Sequence, residues 1–317
     1  MCVASAPSRL DFGGGWTDVP PYPEERGGFV CNLAIERRAR VTLQPGAAEP
    51  HCLPLVAAAL RRANAVGRVS MTSDFPVGAG LGGSAAAGVA LAAAIACAQG
   101  RMEGAAALAE WSRRVEVEDM GVAGGRQDHY AAAFGGALGL TFEDVVTVES
   151  IPLSPATMAA LESRLTLVYT GESRISGETI SAVLDAYRDR SPRVLSSLSR
   201  MVVLARAMRH ALAAGDVSML AELVDEHWIH QRALHPRITT ARIDALEQAA
   251  RAAGAQGFKA LGASGGGCVL IVSEADDVSR VVTAVAPYGE RLPWRIATTG
   301  VAVSPHVPPH QTAPDDL

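Results

Sequence analysis

Five glycines fall within residues 76–88, PVGAGLGGSAAAG, and Ser84 stands where the glycines give way to alanines. Glycines let backbone N–H groups close on an anion, and a following helix N-terminus adds partial positive charge. A phosphate there gains about 0.3–1 kcal/mol from the helix dipole, and up to ~2 kcal/mol when partly buried. Ser84 can cap the helix or offer its hydroxyl to a phosphate-bound Mg²⁺; its position alone does not choose. Phosphoryl transfer would also need a carboxylate for the metal and another to take or orient a hydroxyl proton. Residues 115–136, VEVEDMGVAGGRQDHYAAAFGG, supply Glu116, Glu118, Asp119 and Asp128. Glu118 and Asp119 also read as a solvated helix face, and Asp128 as a helix N-cap. Asp18, in GGGWTDVPPY, is a further acidic candidate, or a turn residue before two prolines. A second glycine run, KALGASGGGCVLIV at 259–272, reads as a tight helix-to-strand connection, or as more than that.

Two other readings of the first loop are weaker. Gly78-x-Gly80-x-x-Gly83 fits the dinucleotide fingerprint literally. That reading needs an acidic residue about twenty positions on, at the end of a second strand. Glu103 has the spacing but follows a helix and QGRM, with no strand before it. A P-loop is excluded because no Lys-Ser/Thr follows the glycines.

The loop and carboxylates need a scaffold. FVCNLAI (29–35) and ARVTLQP (39–45) read as strands, and RVSMTSD (68–74) as the strand entering the loop. Helices are expected at about 84–99 and 104–120, the second closed by Gly121. GGALGLTFE and RLTLVYTG (164–171) are further strands. Beyond Ser191 the pattern turns helical, at about 192–214, 217–234 and 239–253, before a buried apolar strand at 268–273. The proline-rich end, SPHVPPHQTAPDDL, reads as a disordered tail. Strands and helices mix without regular βαβ alternation, so α+β is favoured, with a composition change near 150–165.

With 49 % hydrophobic and 19 % charged residues, the 317-residue chain suits a folded protein with a sizeable core. Its net charge of −5 argues against a nucleic-acid partner. Residues 77–98 carry no charge over 22 positions, but they are glycine- and alanine-rich. They read as a loop and a buried helix, so no membrane partner is expected. Cys2, Cys31, Cys52, Cys97 and Cys268 form no C-x-x-C pair and are odd in number. Reduced thiols in a cytoplasmic protein are expected, and no secretory signal is seen.

Taken in order, the motifs resemble those of the GHMP kinases, the superfamily of galactokinase, homoserine kinase, mevalonate kinase and phosphomevalonate kinase. PVGAGLGGSAA is similar to the family's P-x-G-x-G-L-G-[SG]-S-[AS] loop, SAPSRLDFGGGWTD to its first motif and KALGASGGGC to its third. The resemblance covers about residues 3–303. GGGWTDVPPY resembles the L-fucokinase version of the first motif, with its Trp, where D-glycero-D-manno-heptose 7-phosphate kinases read G-G-G-T-D. In contrast, GGRQDHYAAAFGG is similar to the heptose kinase pattern G-K-Q-D-Q-Y-A-A-A-F-G-G, and YTGESRISGETI to the T-G-x-x-R segment of these sugar 1-kinases. Arg126 and His129 replace the usual Lys and Gln, and Ser264 stands where Gly is common.

The resemblance implies a fold and a set of roles. An ATP-binding domain like domain 2 of ribosomal protein S5 would span 1–160, a ferredoxin-like domain 161–303, and the tail 304–317. Pro76, Gly78, Gly80, Leu81, Gly82, Gly83, Ser84 and Ala85 would cradle ATP. Ser84 and Glu116 would hold Mg²⁺, and Asp128 would take or orient the proton of the attacking hydroxyl. Arg9, Asp18 and Arg174 would meet the sugar, and the glycines 262–267 would support the site's floor. Arg26, Lys259 and His129 are further candidate anion contacts. The implied activity is ATP-dependent phosphorylation at O1 of a heptose 7-phosphate or related sugar, feeding nucleotide-sugar synthesis. The alternatives are an L-fucokinase-type enzyme on a free sugar and a catalytically silent sugar- and ATP-binding regulator. A diphosphate decarboxylase and an NAD-dependent oxidoreductase fit less well. The implied partner is a small-molecule sugar or sugar phosphate, bound by a monomer or homodimer.

Overall fold

The computed structural model describes residues 1–46, 53–172 and 177–305. β1 (Cys2–Gly13) pairs antiparallel with β2 (Gly28–Pro45), with the short α1 (Tyr22–Arg26) between them. The two strands expected at 29–35 and 39–45 are one continuous strand. The charged Glu36, Arg37 and Arg38 lie within it, and the two arginines reach distant partners. Arg37 donates to the Pro293 carbonyl, and Arg38 to the carbonyls of Thr299 and Gly300. A register shift opposite Pro7 and Ser8 absorbs the irregularity.

After α2 (Pro54–Arg62), β3 (Gly67–Ser73) pairs with β2 and leads into the glycine loop. Three helices follow: α3 (Gly83–Ala98), α4 (Ala105–Arg114) and α5 (Gln127–Phe134). β4 (Ala137–Phe142) and β5 (Val146–Ile151) complete a sheet of order β4–β5 beyond β2. Strand alternation sorts the two faces of β2. Val30 packs with the alanines of α3, while Phe29, Cys31, Leu33 and Ile35 face the other way with Leu10 and Phe12. α3 is apolar all round and almost wholly buried, as a central helix must be. Among the described residues no helix is long and apolar enough to cross a membrane.

The second half opens with α6 (Pro155–Arg164), β6 (Leu165–Tyr169) and α7 (Gly177–Arg188). The long α8 (Pro192–Ala214) and α9 (Val217–Leu234) match the helices read from periodicity. α10 (Ala241–Ala252), β7 (Ala255–Ala260), β8 (Cys268–Ser273), α11 (Val278–Val285) and the short β9 (Glu290–Arg291) follow. The strands form a four-stranded sheet of order β7–β8–β6–β9. Leu204 and Met208 of α8 join the core beneath β1 and β2, so one apolar cluster spans both sheets.

Three expectations change. β10 (Ala302–Pro305) returns to pair with β1, so the first residues of the expected tail are strand; residues 306–317 lie outside the described set. The run at 259–272 connects two antiparallel strands, since Lys259 lies in β7 and not in a helix. Gly254 and Gly257 break the apolar pattern that would have announced that strand. Finally, Cys2 and Cys97 are joined as a disulfide, their Cα atoms 6.2 Å apart, against the expectation of reduced thiols. Cys31 and Cys268 are free and buried, and Cys52 lies outside the described residues.

Candidate active site

The loop between β3 and α3 is held from both sheets. Arg9 N donates to the Leu81 carbonyl at 3.0 Å, and Cys268 N to the Ala79 carbonyl at 2.8 Å. Gly78, Gly80 and Gly82 all have left-handed φ, at 73°, 72° and 71°. At Gly80 the reason for glycine is double, because a Cβ there would lie 2.6 Å from the Leu261 carbonyl oxygen. The glycine run at 262–267 thus packs backbone against backbone on the first loop, which is why both are poor in side chains. Anion nests form where left-handed residues alternate with right-handed ones, and three alternate residues here are left-handed glycines.

Gly82 is the N-cap of α3, and no side chain caps that helix. Ser84 is therefore not its cap. It is exposed, and its hydroxyl donates to Glu116 Oε1 at 2.7 Å. Glu116 lies in a single π-helical turn, Val115–Asp119, that continues α4. Such turns occur often at functional sites because the extra residue re-aims its neighbours. Glu118 and Asp119 do not join Ser84; Arg62 of α2 binds both. Burial alone would raise the Glu116 carboxyl, but His129 and the Ser84 hydroxyl outweigh it and hold it below the usual range. An ionised carboxylate beside a hydroxyl is the hard-oxygen set that suits Mg²⁺. Among the described residues no cluster of three or more His, Cys, Asp or Glu side chains could hold a metal ion. A metal at this pair would need further oxygens from a nucleotide.

Asp128 is not the N-cap of α5 either. That position belongs to Arg126, and the cap comes from a distant residue. Asp18 Oδ2 accepts from the backbone N–H of Arg126 at 2.8 Å and of Gln127 at 2.9 Å. The Asp128 carboxylate is left for Arg9, whose Nε and Nη2 reach Oδ1 at 2.8 and 2.7 Å. Arg9 Nη1 also donates to the Gly80 carbonyl at 2.6 Å. One buried guanidinium therefore ties the glycine loop to Asp128, with Gly82 packed over the carboxylate. Arg9 and Asp18, read as sugar contacts, are thus both engaged with the protein itself.

The remaining candidates separate. His129 is buried and bonded to Ser112 and Glu116, so it offers no anion contact. Lys259 is fully buried, with Nζ 3.0 Å from Asp11 Oδ2 and 2.8 Å from the Asp11 carbonyl. Arg26 is exposed at the end of α1, and Arg174 lies outside the described residues. Sequence reading missed Asp11 and the cap made by Asp18. The only sequence signal for Asp11 is its place two residues after Arg9, on the same strand face.

Burial, with the Asp128 and Asp11 charges adding to it, raises the Asp18 carboxyl from 3.8 to about 6, although the Gln127 N–H pulls the other way. The folded chain then holds a proton that the unfolded chain releases between pH 3.8 and about 6, so stability falls as pH rises through that window. Asp18→Asn keeps an acceptor for both N–H groups and cannot ionise. It is expected to be more stable than the unaltered protein at pH 7 by up to ~3 kcal/mol. At pH 3.5 the difference should vanish. Urea unfolding at both pH values reads this, and no gain at pH 7 would mean that Asp18 carries no such cost.

Comparison with known proteins follows the same lines. Residues 52–136 match the GHMP kinases N terminal domain, and residues 208–290 the GHMP kinases C terminal. The bifunctional fucokinase/GDP-fucose pyrophosphorylase of Arabidopsis thaliana is 28 % identical over 316 residues, covering 84 % of this chain and 29 % of that protein. The D-glycero-alpha-D-manno-heptose 7-phosphate kinase of Campylobacter jejuni is 29 % identical, covering 62 % of this chain and 58 % of its own. This chain therefore spans under a third of the first relative and little more than half of the second. A galactokinase of Mycobacterium tuberculosis is 30 % identical over 248 residues, with 69 % and 68 % covered. The fold is that of a D-glycero-D-manno-heptose 1-phosphate kinase from Bacteriodes thetaiotaomicron, with a TM-score of 0.79 over 97 % of this chain and 100 % of that one, at 22 % identity.

Proposed function

The chain belongs to the GHMP kinases, and from that premise we propose that it transfers the γ-phosphoryl group of ATP to the anomeric hydroxyl, O1, of a heptose 7-phosphate or related sugar. The observation that carries this reading is the single arginine joining loop and carboxylate: Arg9 binds both the Gly80 carbonyl and Asp128. A nucleotide on the loop and a hydroxyl at Asp128 would then be held at a fixed spacing, and positioning supplies most of the catalysis in phosphoryl transfer. The heptose assignment draws support from the Campylobacter relative and from GGRQDHYAAAFGG.

In this mechanism the glycine loop and the start of α3 bind the phosphates through backbone N–H groups. Asp128 accepts the proton of the attacking hydroxyl, an anomeric one being more acidic than an ordinary alcohol, so a modest base suffices. Ser84 and Glu116 are the residues that would hold Mg²⁺, and a bound Mg²⁺ would supply charge neutralisation for the phosphates. Asp18 keeps α5 in place, and with it Asp128. Ser84→Ala and Glu116→Gln are each expected to raise the Mg²⁺ concentration needed for half-maximal rate. Unchanged Mg²⁺ dependence in both variants would sink the metal assignment.

A second reading, a kinase acting on a free sugar such as L-fucose, is favoured by Trp16 in GGGWTD and by the Arabidopsis relative. Trp16 is buried and adopts a left-handed φ of 79°, a costly conformation for a bulky residue outside a functional site. The deciding experiment is a panel of L-fucose, D-mannose and heptose 7-phosphate with ATP and Mg²⁺, with the phosphorylated position read by NMR. Turnover of heptose 7-phosphate alone supports the first reading. Turnover of a free sugar alone supports the second, and phosphorylation away from O1 refutes both.

A further inference from the structure

α5 carries two consecutive polar side chains that point to different neighbours. Successive residues of a helix are about 100° apart. Asp128 turns to Arg9, and His129 turns to α4 and the π-helical turn after it. His129 Nε2 lies 3.0 Å from Glu116 Oε2, and its Nδ1 lies 3.1 Å from the Ser112 hydroxyl. Glu116 Oε1 is then the oxygen that meets Ser84. In the neutral ring, Nε2–H donates to the carboxylate and Nδ1 accepts from the Ser112 hydroxyl, a tautomer assigned from the bonding pattern. Ser112 itself has no room to move. It is buried on α4 against Gly88 of α3, where any Cβ would collide with the Ser112 hydroxyl.

We propose that His129 is a positioning residue for Glu116: held by Ser112, which packs against Gly88, it fixes the carboxylate rotamer so that Oε1 stays beside Ser84, ready for a divalent cation. This inference rests on the kinase reading above for the cation's role, and adds a residue which that reading does not use. Partners behind a metal-binding side chain commonly matter this much, because a ligand left free to rotate loses affinity. Contacts among α3, α4 and α5 thus converge on one carboxylate.

Two substitutions of the same residue separate positioning from packing. A glutamine amide can place its nitrogen where Nε2 stands, keeping Glu116 and giving up Ser112. An asparagine amide reaches only to Nδ1, keeping Ser112 and giving up Glu116. The readout is binding of Mn²⁺ together with a non-hydrolysable ATP analogue, followed by electron paramagnetic resonance, with the melting temperature measured alongside. His129→Asn is expected to bind Mn²⁺ about 10- to 100-fold more weakly than the unaltered protein, and His129→Gln close to normally. The KM for Mg·ATP should rise in the Asn variant while the KM for sugar does not. Equal Mn²⁺ affinity in the two variants, with the unaltered protein binding well, would overturn this inference alone. Failure of the unaltered protein to bind Mn²⁺ with the nucleotide would overturn the kinase reading and this inference together.

Discussion

Asp128→Asn is expected to lower kcat by about 10²–10⁴-fold, the usual contribution of a positioned general base. The KM for Mg·ATP should change little, because the glycine loop keeps its own ties to Arg9 N and Cys268 N. The amide matches the carboxylate in shape and still offers an oxygen to Arg9. It cannot accept the proton of a hydroxyl. One objection is that Arg9, with its side chain 4 % exposed, loses its counter-charge and the fold suffers. The Asp128 side chain is 30 % exposed, so water reaches this end of the pair and the loss is smaller than at a sealed site. Asp128→Glu supplies the control. It keeps the charge beside Arg9 but carries the carboxylate one methylene further, and it should also lose rate while its melting temperature stays near normal. Near-normal kcat in a folded Asn variant would remove Asp128 from the mechanism.

How much of this site was legible beforehand depends on the kind of signal. α8 and α9 were readable because their apolar spacing is dictated by burial on one face, and β8 because burial on both faces makes it a continuous apolar run. The chemistry was only half readable. Glu116, Glu118 and Asp119 are equivalent by type and spacing, and the choice among them falls to a π-helical turn and to Arg62, more than fifty residues away. The sequence left capping open at Ser84 and Asp128 for a similar reason. A helix start invites a local Ser or Asp, yet α3 is capped by glycine backbone and α5 by Asp18, from 108 positions upstream. That exchange is what releases Ser84 and Asp128 for other work. The Cys2–Cys97 bond spans 95 residues and joins the start of a strand to the end of a helix, so counting cysteines had no access to it. β10 is four residues long and draws its stability from β1, leaving a local pattern too short to register.

Lys259→Met is expected to cost about 3–5 kcal/mol of stability. Lys259 sits in β7 of the second sheet, and its partner Asp11 in β1 of the first, so the pair joins the two halves beneath the glycine loop. Burial lowers the Lys259 ammonium from its ordinary range, and the Asp11 carboxylate opposes that. Methionine fills the volume but leaves Asp11 charged, 2 % exposed, and with Oδ1 already lacking a protein partner. The penalty is therefore the stranded charge, not a cavity, and this has a consequence of opposite sign. Lys259→Met combined with Asp11→Leu removes both charges, and replacing a whole buried pair by apolar groups is often neutral or better. The double variant should recover most of the lost stability in urea unfolding. If instead the two losses simply add, the pair is not coupled and something other than charge holds the sheets together at this point. Catalysis should not recover in parallel. Asp11 lies two residues from Arg9 on the same face of β1, and the backbone between them carries the arginine that spaces the loop from Asp128. A stable but slow double variant would mean that a buried ion pair is kept here for the geometry it imposes on the site, and that its contribution to stability is incidental.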